Sequence, residues 1–146
     1  MSDMGKVLGI DFGKVRIGLA LSDVMRMVAT PLETVDGKSE KKASRRIREI
    51  LEEQKCSTVV VGLPLHMNGD FGDLAQAAKD FGEKLKSQVP ALEVVMWDER
   101  MSSLEAEKTL RLGNAKPQRK KEMRDQLAAQ LILQSWLDAQ AMDFGS

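Results

Sequence analysis

Val7-Leu8-Gly9-Ile10-Asp11-Phe12-Gly13 decides how this chain is read. The apolar run Val7 to Ile10 has the pattern of a buried strand, and it stops on a carboxylate followed by a glycine turn. A charge at that place is expensive to desolvate unless something cationic meets it. After Lys14-Val15 the chain resumes as Arg16-Ile17-Gly18-Leu19-Ala20-Leu21-Ser22, a second strand, so the two form a hairpin. Gly13 supplies the turn, and Gly18 lets another part of the chain approach the backbone closely. An isolated Asp-x-Gly is ordinarily a turn. Asp11 rises above that reading because two further acidic sites lie at similarly exposed ends of apolar elements.

Working outward, a third strand covers Met27 to Val35, with Pro31 marking a sheet edge or a bulge. Asp36-Gly37-Lys38-Ser39 is a turn, and Ser39 caps a helix reaching Lys55. Ala43, Ile47, Ile50 and Leu51 recur there at helical spacing, and the opposite face, with Lys41, Lys42, Arg45, Arg46 and Arg48, reads as solvated, with a role beside a phosphate backbone as the alternative. Thr58-Val59-Val60-Val61 is β-branched and apolar throughout, as in a central strand covered on both faces. It leads into the loop Gly62 to Gly69, which contains no carboxylate. The lone His66 is left out of the chemistry. A helix follows from about Asp73, with Leu74, Ala77, Ala78, Phe81 and Leu85 on one stripe and Pro90 beyond its end.

The fifth strand, Glu93 to Trp97, runs directly into Asp98-Glu99-Arg100, the second acidic site. Ser102 and Glu105 form a capping box that opens a helix closed by Gly113. Arg111, Lys116, Arg119, Lys120, Lys121 and Arg124 then form a basic segment interrupted by the single acid Glu122. The last helix starts after Pro117 and runs to about Ala141. It carries the third acidic site, Asp125, on the same face as Ala128, Ala129, Ile132 and Trp136. That face is the apolar one, so Asp125 points toward the protein.

The chain has 146 residues, enough for one domain (1–146) with a proper core, and no stretch long enough to act as a linker. With 42% hydrophobic and 30% charged residues it has the composition of a globular protein rather than a disordered one. No apolar run approaches the roughly 18 residues of a membrane span, and the N-terminus lacks a signal-peptide pattern, which implies a cytoplasmic protein. The single cysteine, Cys56, rules out an internal disulfide and reads as a small residue entering a strand. The net charge is zero, which neither suggests nor excludes nucleic acid.

Short connections make the first three strands an antiparallel meander, and the alternation that follows implies parallel strands with right-handed crossovers. The result is an α/β fold: a five-stranded mixed sheet flanked by helices. Its functional edge lies where Asp11, the Asp98-Glu99 pair and Asp125 converge.

Four motifs in order then carry a resemblance: Asp11-Phe12-Gly13-x-x-Arg16-Ile17-Gly18-x-Ala20; Gly62-Leu63-Pro64-Leu65-x-Met67-Asn68-Gly69; Asp98-Glu99-Arg100-Met101-Ser102; and Asp125-x-x-Ala128-Ala129. Together, from Val7 to about Leu137, they resemble the YqgF/RuvX family, related to the RuvC Holliday junction resolvase. The resemblance implies a ribonuclease-H-like fold with strand order 3-2-1-4-5. It also implies a nuclease that processes the 5′ end of precursor 16S ribosomal RNA, with junction resolution, which calls for a homodimer, as the alternative. Asn68 stands where many members have Asp. Unlike RuvC, the chain has no acid at the end of its fourth strand, so the fifth must supply it. That strand lies two places from the first, roughly 10 Å away. Asp98 and Glu99 point to opposite faces if the strand continues. Glu99 has the longer reach and is favoured, with Asp98 as the alternative or as a group behind it.

Catalytic Asp11, Glu99, Asp125 and Asp98 are hard oxygen donors; with Asp11, Glu99 and Asp125 as ligands they suit Mg²⁺ or Mn²⁺. Two such ions about 4 Å apart activate water and stabilise a leaving oxygen in phosphodiester hydrolysis. Lys14, Arg16 and Arg100 are candidates to neutralise phosphate, and Lys116, Arg119, Lys120, Lys121 and Arg124 to track a nucleic-acid backbone. Crowded carboxylates repel, so neutralising Asp125 without metal should stabilise the protein. With four phenylalanines, two tryptophans and no tyrosine, base stacking should not dominate. Two other readings stand beside this one. Ile10 to Gly13 also resembles the first phosphate loop of actin-like ATPases, although those need two such domains. A nuclease-like scaffold that binds RNA without cutting is the other.

Overall fold

The structure is a computed structural model, and it describes residues 5–102 and 116–145. Strands β1 (Lys6–Asp11), β2 (Arg16–Ser22) and β3 (Ala29–Asp36) are followed by helix α1 (Glu40–Glu53), strand β4 (Cys56–Leu63), helix α2 (Asp73–Gln88) and strand β5 (Glu93–Asp98). A 3₁₀ turn, Glu99–Met101, follows β5, and the long helix α3 spans Pro117–Gly145. The sheet order is β3-β2-β1-β4-β5. β1 pairs antiparallel with β2 and parallel with β4, β2 antiparallel with β3, and β4 parallel with β5. This is the mixed sheet expected from the element pattern, with the ribonuclease-H-like strand order that the resemblance implied.

Strand alternation sorts the apolar residues onto two faces. Leu8, Ile10, Ile17, Leu19, Val59 and Val61 join Ile47 and Ile50 of α1 and Phe81 and Leu85 of α2 in one buried cluster. Val7, Ala20 and Val60 turn the other way and join Ala129, Ile132, Leu133 and Trp136 of α3. β1 and β4 are therefore covered on both sides, which is why they are apolar almost throughout. At the α1 start the Ser39 hydroxyl accepts from the Lys42 N–H at 3.3 Å, the expected cap.

Some boundaries differ from the sequence reading, each for a local reason. β3 begins at Ala29 rather than Met27, because the Asp23 carboxylate accepts the N–H groups of Met27 (2.8 Å) and Val28 (3.0 Å) and holds them in a turn. Pro31 lies on an edge strand, at the bulge where the pairing shifts between Leu19 and Ala20. The α2 stripe runs through Ala75, Ala78, Phe81, Gly82 and Leu85, while Leu74 faces water. Arg46, read as part of a solvated face, reaches across to β3 and donates to both oxygens of Glu33 at 2.8 Å. The Ser102 hydroxyl donates to the Glu99 carbonyl at 2.8 Å and closes the 3₁₀ turn. Glu105, Arg111 and the helix expected to end at Gly113 lie outside the described residues.

Helix α3 is bound along the β3 edge by polar side chains. The Ala29 N–H donates to the Gln134 amide at 2.9 Å, Gln130 donates to the Ala29 carbonyl at 2.9 Å, and the Thr34 hydroxyl donates to the Glu122 carbonyl at 2.8 Å. Edge-strand groups left unpaired by the sheet thereby gain partners. The same bonds fix the rotation of α3, and with it the direction of Asp125.

Candidate functional site

One row across the sheet assembles the candidate site. Asp11 pairs with Gly18 of β2, and Gly18 pairs with Thr34 of β3. On the other side Ile10 pairs with Val61, so the next step sets Asp11 beside Gly62, which pairs with Trp97 of β5. Neighbours in such a row point to one face. That face is the one under α3, since a Cβ on Gly18 would land on the carbonyl oxygen of Asp125, and one on Gly62 would lie 2.6 Å from Ile132.

The two glycines are seats for the two other acids. The Asp125 backbone lies directly over Gly18, a closeness only glycine allows. Glu99 lies over Gly62, its Oε2 2.9 Å and its Cγ 3.0 Å from where a Cβ would stand. At the usual interstrand spacing the seats are roughly 10 Å apart, with Asp11 between them. Sequence reasoning saw Gly18 as a place of close approach without naming the partner, and it missed Gly62 altogether. The signal was present: small residues at matching positions on both neighbours of the acid-bearing strand.

Asp98 is on the other face. Val95 and Trp97 pack with the α3 cluster, whereas Val94 and Met96 pack with the α1–α2 cluster, and alternation carries Asp98 with the latter. Its partner there is Arg100, whose Nη2 donates at 2.7 Å and whose backbone N–H donates at 2.9 Å. The side-chain bond from Arg100 holds the Asp98 carboxyl below its usual range. Arg100 in turn donates to the Met67 carbonyl at 3.1 Å, which ties the strand end to the loop after β4. Of the acidic pair, then, Glu99 is the member that shares a face with Asp11 and Asp125.

Asp125 is held from below. The Nε of Arg16, at the first position of β2, donates to its Oδ2 at 2.7 Å across 109 residues of sequence. Both side chains are mostly covered, at 32% and 19% exposure. Arg16 was expected to meet phosphate, and its Nε meets a carboxylate of the same site instead. Lys14 is exposed in the turn after β1. Lys116 is exposed just ahead of α3, and along its first turns Arg119, Lys121 and Arg124 are exposed while Lys120 is half-buried.

The donor set of Asp11, Glu99 and Asp125 is all-oxygen, the chemistry that fits a hard divalent cation such as Mg²⁺ or Mn²⁺. Among the described residues no three His, Cys, Asp or Glu side chains are grouped as a ready metal site, and Asp125 is engaged by Arg16. Among the described residues no helix is long and apolar enough to cross a membrane.

Comparison with known proteins agrees with this fold. A Lactococcus lactis protein named "Putative pre-16S rRNA nuclease" is 41% identical over 139 residues, covering 94% of this chain and 96% of its own. Among solved structures, RuvC from Thermus thermophilus in complex with a Holliday junction substrate superposes with a TM-score of 0.57 at 16% identity, over 94% of this chain and 96% of that one. The yeast mitochondrial Holliday junction resolvase Ydc2 gives 0.58 at 10% identity, over 97% and 81%. At these identities the two structures speak for the fold alone. The family model described as "RuvX: Holliday junction resolvase" matches residues 5–139, and the chain belongs to that RuvX family.

Proposed function

We propose that this nuclease hydrolyses phosphodiester bonds with the help of a divalent cation, and that its substrate is the 5′ end of precursor 16S ribosomal RNA. The observation that carries the reading is the shared face of Asp11, Glu99 and Asp125 at one end of the sheet, each flanking acid over a glycine. Those three carboxylates would hold Mg²⁺ or Mn²⁺, which when bound activates water and stabilises the leaving oxygen. Arg16 orients Asp125 and offsets part of the negative charge gathered there. Lys14 flanks the site as a phosphate partner, whereas Arg100, also expected to meet phosphate, is held on the opposite face by the Asp98 carboxylate and the Met67 carbonyl. Lys116, Arg119, Lys120, Lys121 and Arg124 offer a cationic track that positions a strand without reading its sequence. The RNA substrate is supported by the relatives' name, and the family description favours branched DNA as a second reading.

The test offers purified protein, in Mg²⁺ or Mn²⁺, precursor ribosomal RNA and a synthetic four-way junction side by side. Cleavage of the RNA is expected, and Asp11→Asn should lower it by more than about a hundredfold, since even groups behind the ligands are worth about 10–100-fold. Equal cleavage by Asp11→Asn would remove the site. Cutting of the junction alone would move the assignment to a resolvase, and RNA binding with no cutting of either would leave a scaffold. Replacing Lys120 and Lys121 by Ala should weaken binding similarly for all sequences and flatten the salt dependence by about one unit for each lost contact.

A further inference from the structure

A polar cleft of about 370 Å³ opens beside Arg16, between the start of β2, the end of β3 and the first turns of α3. Its chemistry comes from Arg16, Lys38, Asp36, Gln118 and Glu122. The volume is at the small end of the roughly 300–1,000 Å³ typical of small-ligand sites, room for one nucleotide rather than a length of strand. Arg16 links this cleft to the acidic site, since it lines the cleft while its Nε holds Asp125 at 2.7 Å. Among the described residues its two terminal nitrogens take no hydrogen bond, so the far edge of the guanidinium remains for an anion.

The acids of the cleft are not alike. One Asp36 oxygen accepts the Lys38 N–H at 2.9 Å. Glu122, one turn before Asp125 on α3, has its carbonyl occupied by the Thr34 hydroxyl, but among the described residues its carboxylate makes neither a hydrogen bond nor an ion pair. A carboxylate next to two phosphate-binding cations repels a DNA backbone, which offers it no donor. An RNA backbone offers one at every nucleotide, the 2′-hydroxyl, beside each phosphate. We propose that this cleft is a ribonucleotide subsite, in which Arg16 and Lys38 meet a phosphate and the Glu122 carboxylate accepts the 2′-hydroxyl. Glu122 is then the residue that separates RNA from DNA. The assignment rests on the reading of the chain as an enzyme of nucleic-acid strands, but its test needs no cleavage.

Binding is measured by fluorescence anisotropy in EDTA, with single-stranded RNA, DNA of the same sequence, and RNAs carrying one 2′-deoxy position each. The parent should prefer RNA by about tenfold, the worth of one charge-assisted hydrogen bond. One deoxy position should account for most of that preference. Glu122→Ala should bring the ratio close to one by weakening RNA while DNA binds as well or better. Lys38→Ala should weaken RNA and DNA alike and keep the ratio. Equal affinities in the parent, a preference that survives Glu122→Ala, or Lys38→Ala binding like the parent would each overturn the subsite. Should Glu122→Ala fail to fold, the deoxy scan on the parent decides, and a scan without a sensitive position overturns it. Ribose preference without cleavage would retain the subsite and remove the nuclease reading; cleavage without ribose preference would do the reverse.

Discussion

The two faces of the sheet are built on opposite plans. Toward α1 and α2 the strands present Leu8, Ile10, Ile17, Leu19, Val59 and Val61, a filled layer that excludes water. Toward α3 the same strands present Val7, Gly9 and Asp11 on β1, Gly18 and Ala20 on β2, and Val60 and Gly62 on β4. Side-chain volume falls away on that face as the row of acids is approached, and the helix backbone occupies the space. The filled face resists unfolding through buried apolar area. The emptied face spends its space on bringing Asp125 and Glu99 against Asp11.

Two glycines, one on each face, separate these plans most sharply. A methyl group on Gly18 would strike the backbone carbonyl of Asp125, which cannot swing aside without lifting α3. Overpacking a fixed neighbour costs about 1–3 kcal/mol and sometimes more, and Gly18→Ala should lie at or above the top of that range. It should also displace Asp125 and abolish cleavage. A methyl group on Gly82 would strike Cε of Met96, the free end of a flexible side chain. Alanine also gains about 1 kcal/mol of helix propensity over glycine, so Gly82→Ala should stay within about 1 kcal/mol of the parent. Urea unfolding of both variants checks the pair. Equal costs would mean that the two faces tolerate added volume alike.

This contrast also divides what the sequence makes legible from what it hides. Alternation along a strand is local, so the apolar pattern of β1, the end of the run at Asp11 and the facing of Asp98 can all be read residue by residue. Glu99 lies one step past β5, in the 3₁₀ turn, so the continued strand from which its facing was argued is not what places it. The helical period likewise puts Asp125 on the same stripe as Ala129 and Ile132. Pairings across distant segments have no such period. Nothing near Arg16 announces Asp125, and nothing near Gly62 announces Glu99, because those contacts exist only once the sheet has ordered its strands. Arg46 was misread for the same reason, its partner Glu33 lying on a separate element. Leu74 was misread by one position, as Ala75 fits the tight approach of α2 to the sheet and leucine there would not.

The Arg16–Asp125 pair works against the repulsion expected from crowded acids. Without Arg16, removing the Asp125 charge would relieve its neighbours and raise stability. With the pair formed and both side chains mostly covered, Asp125→Asn gives up a charge-assisted bond and should cost about 1 kcal/mol in metal-free buffer. Arg16→Ala should cost more, about 1–2 kcal/mol, because it leaves Asp125 partly buried without its cation. Thermal melts in EDTA measure both. A higher melting temperature for Asp125→Asn would show that repulsion outweighs the pair.

The smallest effect belongs to another arginine–carboxylate pair. Asp98 and Arg100 are two residues apart and sit on the opposite face, with Arg100 open to water. The Arg100 side-chain bond lowers the Asp98 pKa from its ordinary 3.8, so the ionised form is favoured by folding. The sign follows from linkage: a carboxyl whose pKa is lower in the folded state adds stability above its unfolded value, and that stability is lost as pH falls through the folded value. Asp98→Asn should therefore lower the melting temperature slightly at neutral pH, and the difference from the parent should close below pH 3.8 as Asp98 takes up its proton. Added salt should shrink the neutral-pH difference too, because an exposed pair is screened. A gap that persists unchanged in acid would mean that Asp98 acts through its cap on the 3₁₀ turn rather than through its charge. The exposed pair would then be a geometric anchor for the end of β5, and Arg16–Asp125 would be the one pair of the two whose charge matters to the fold.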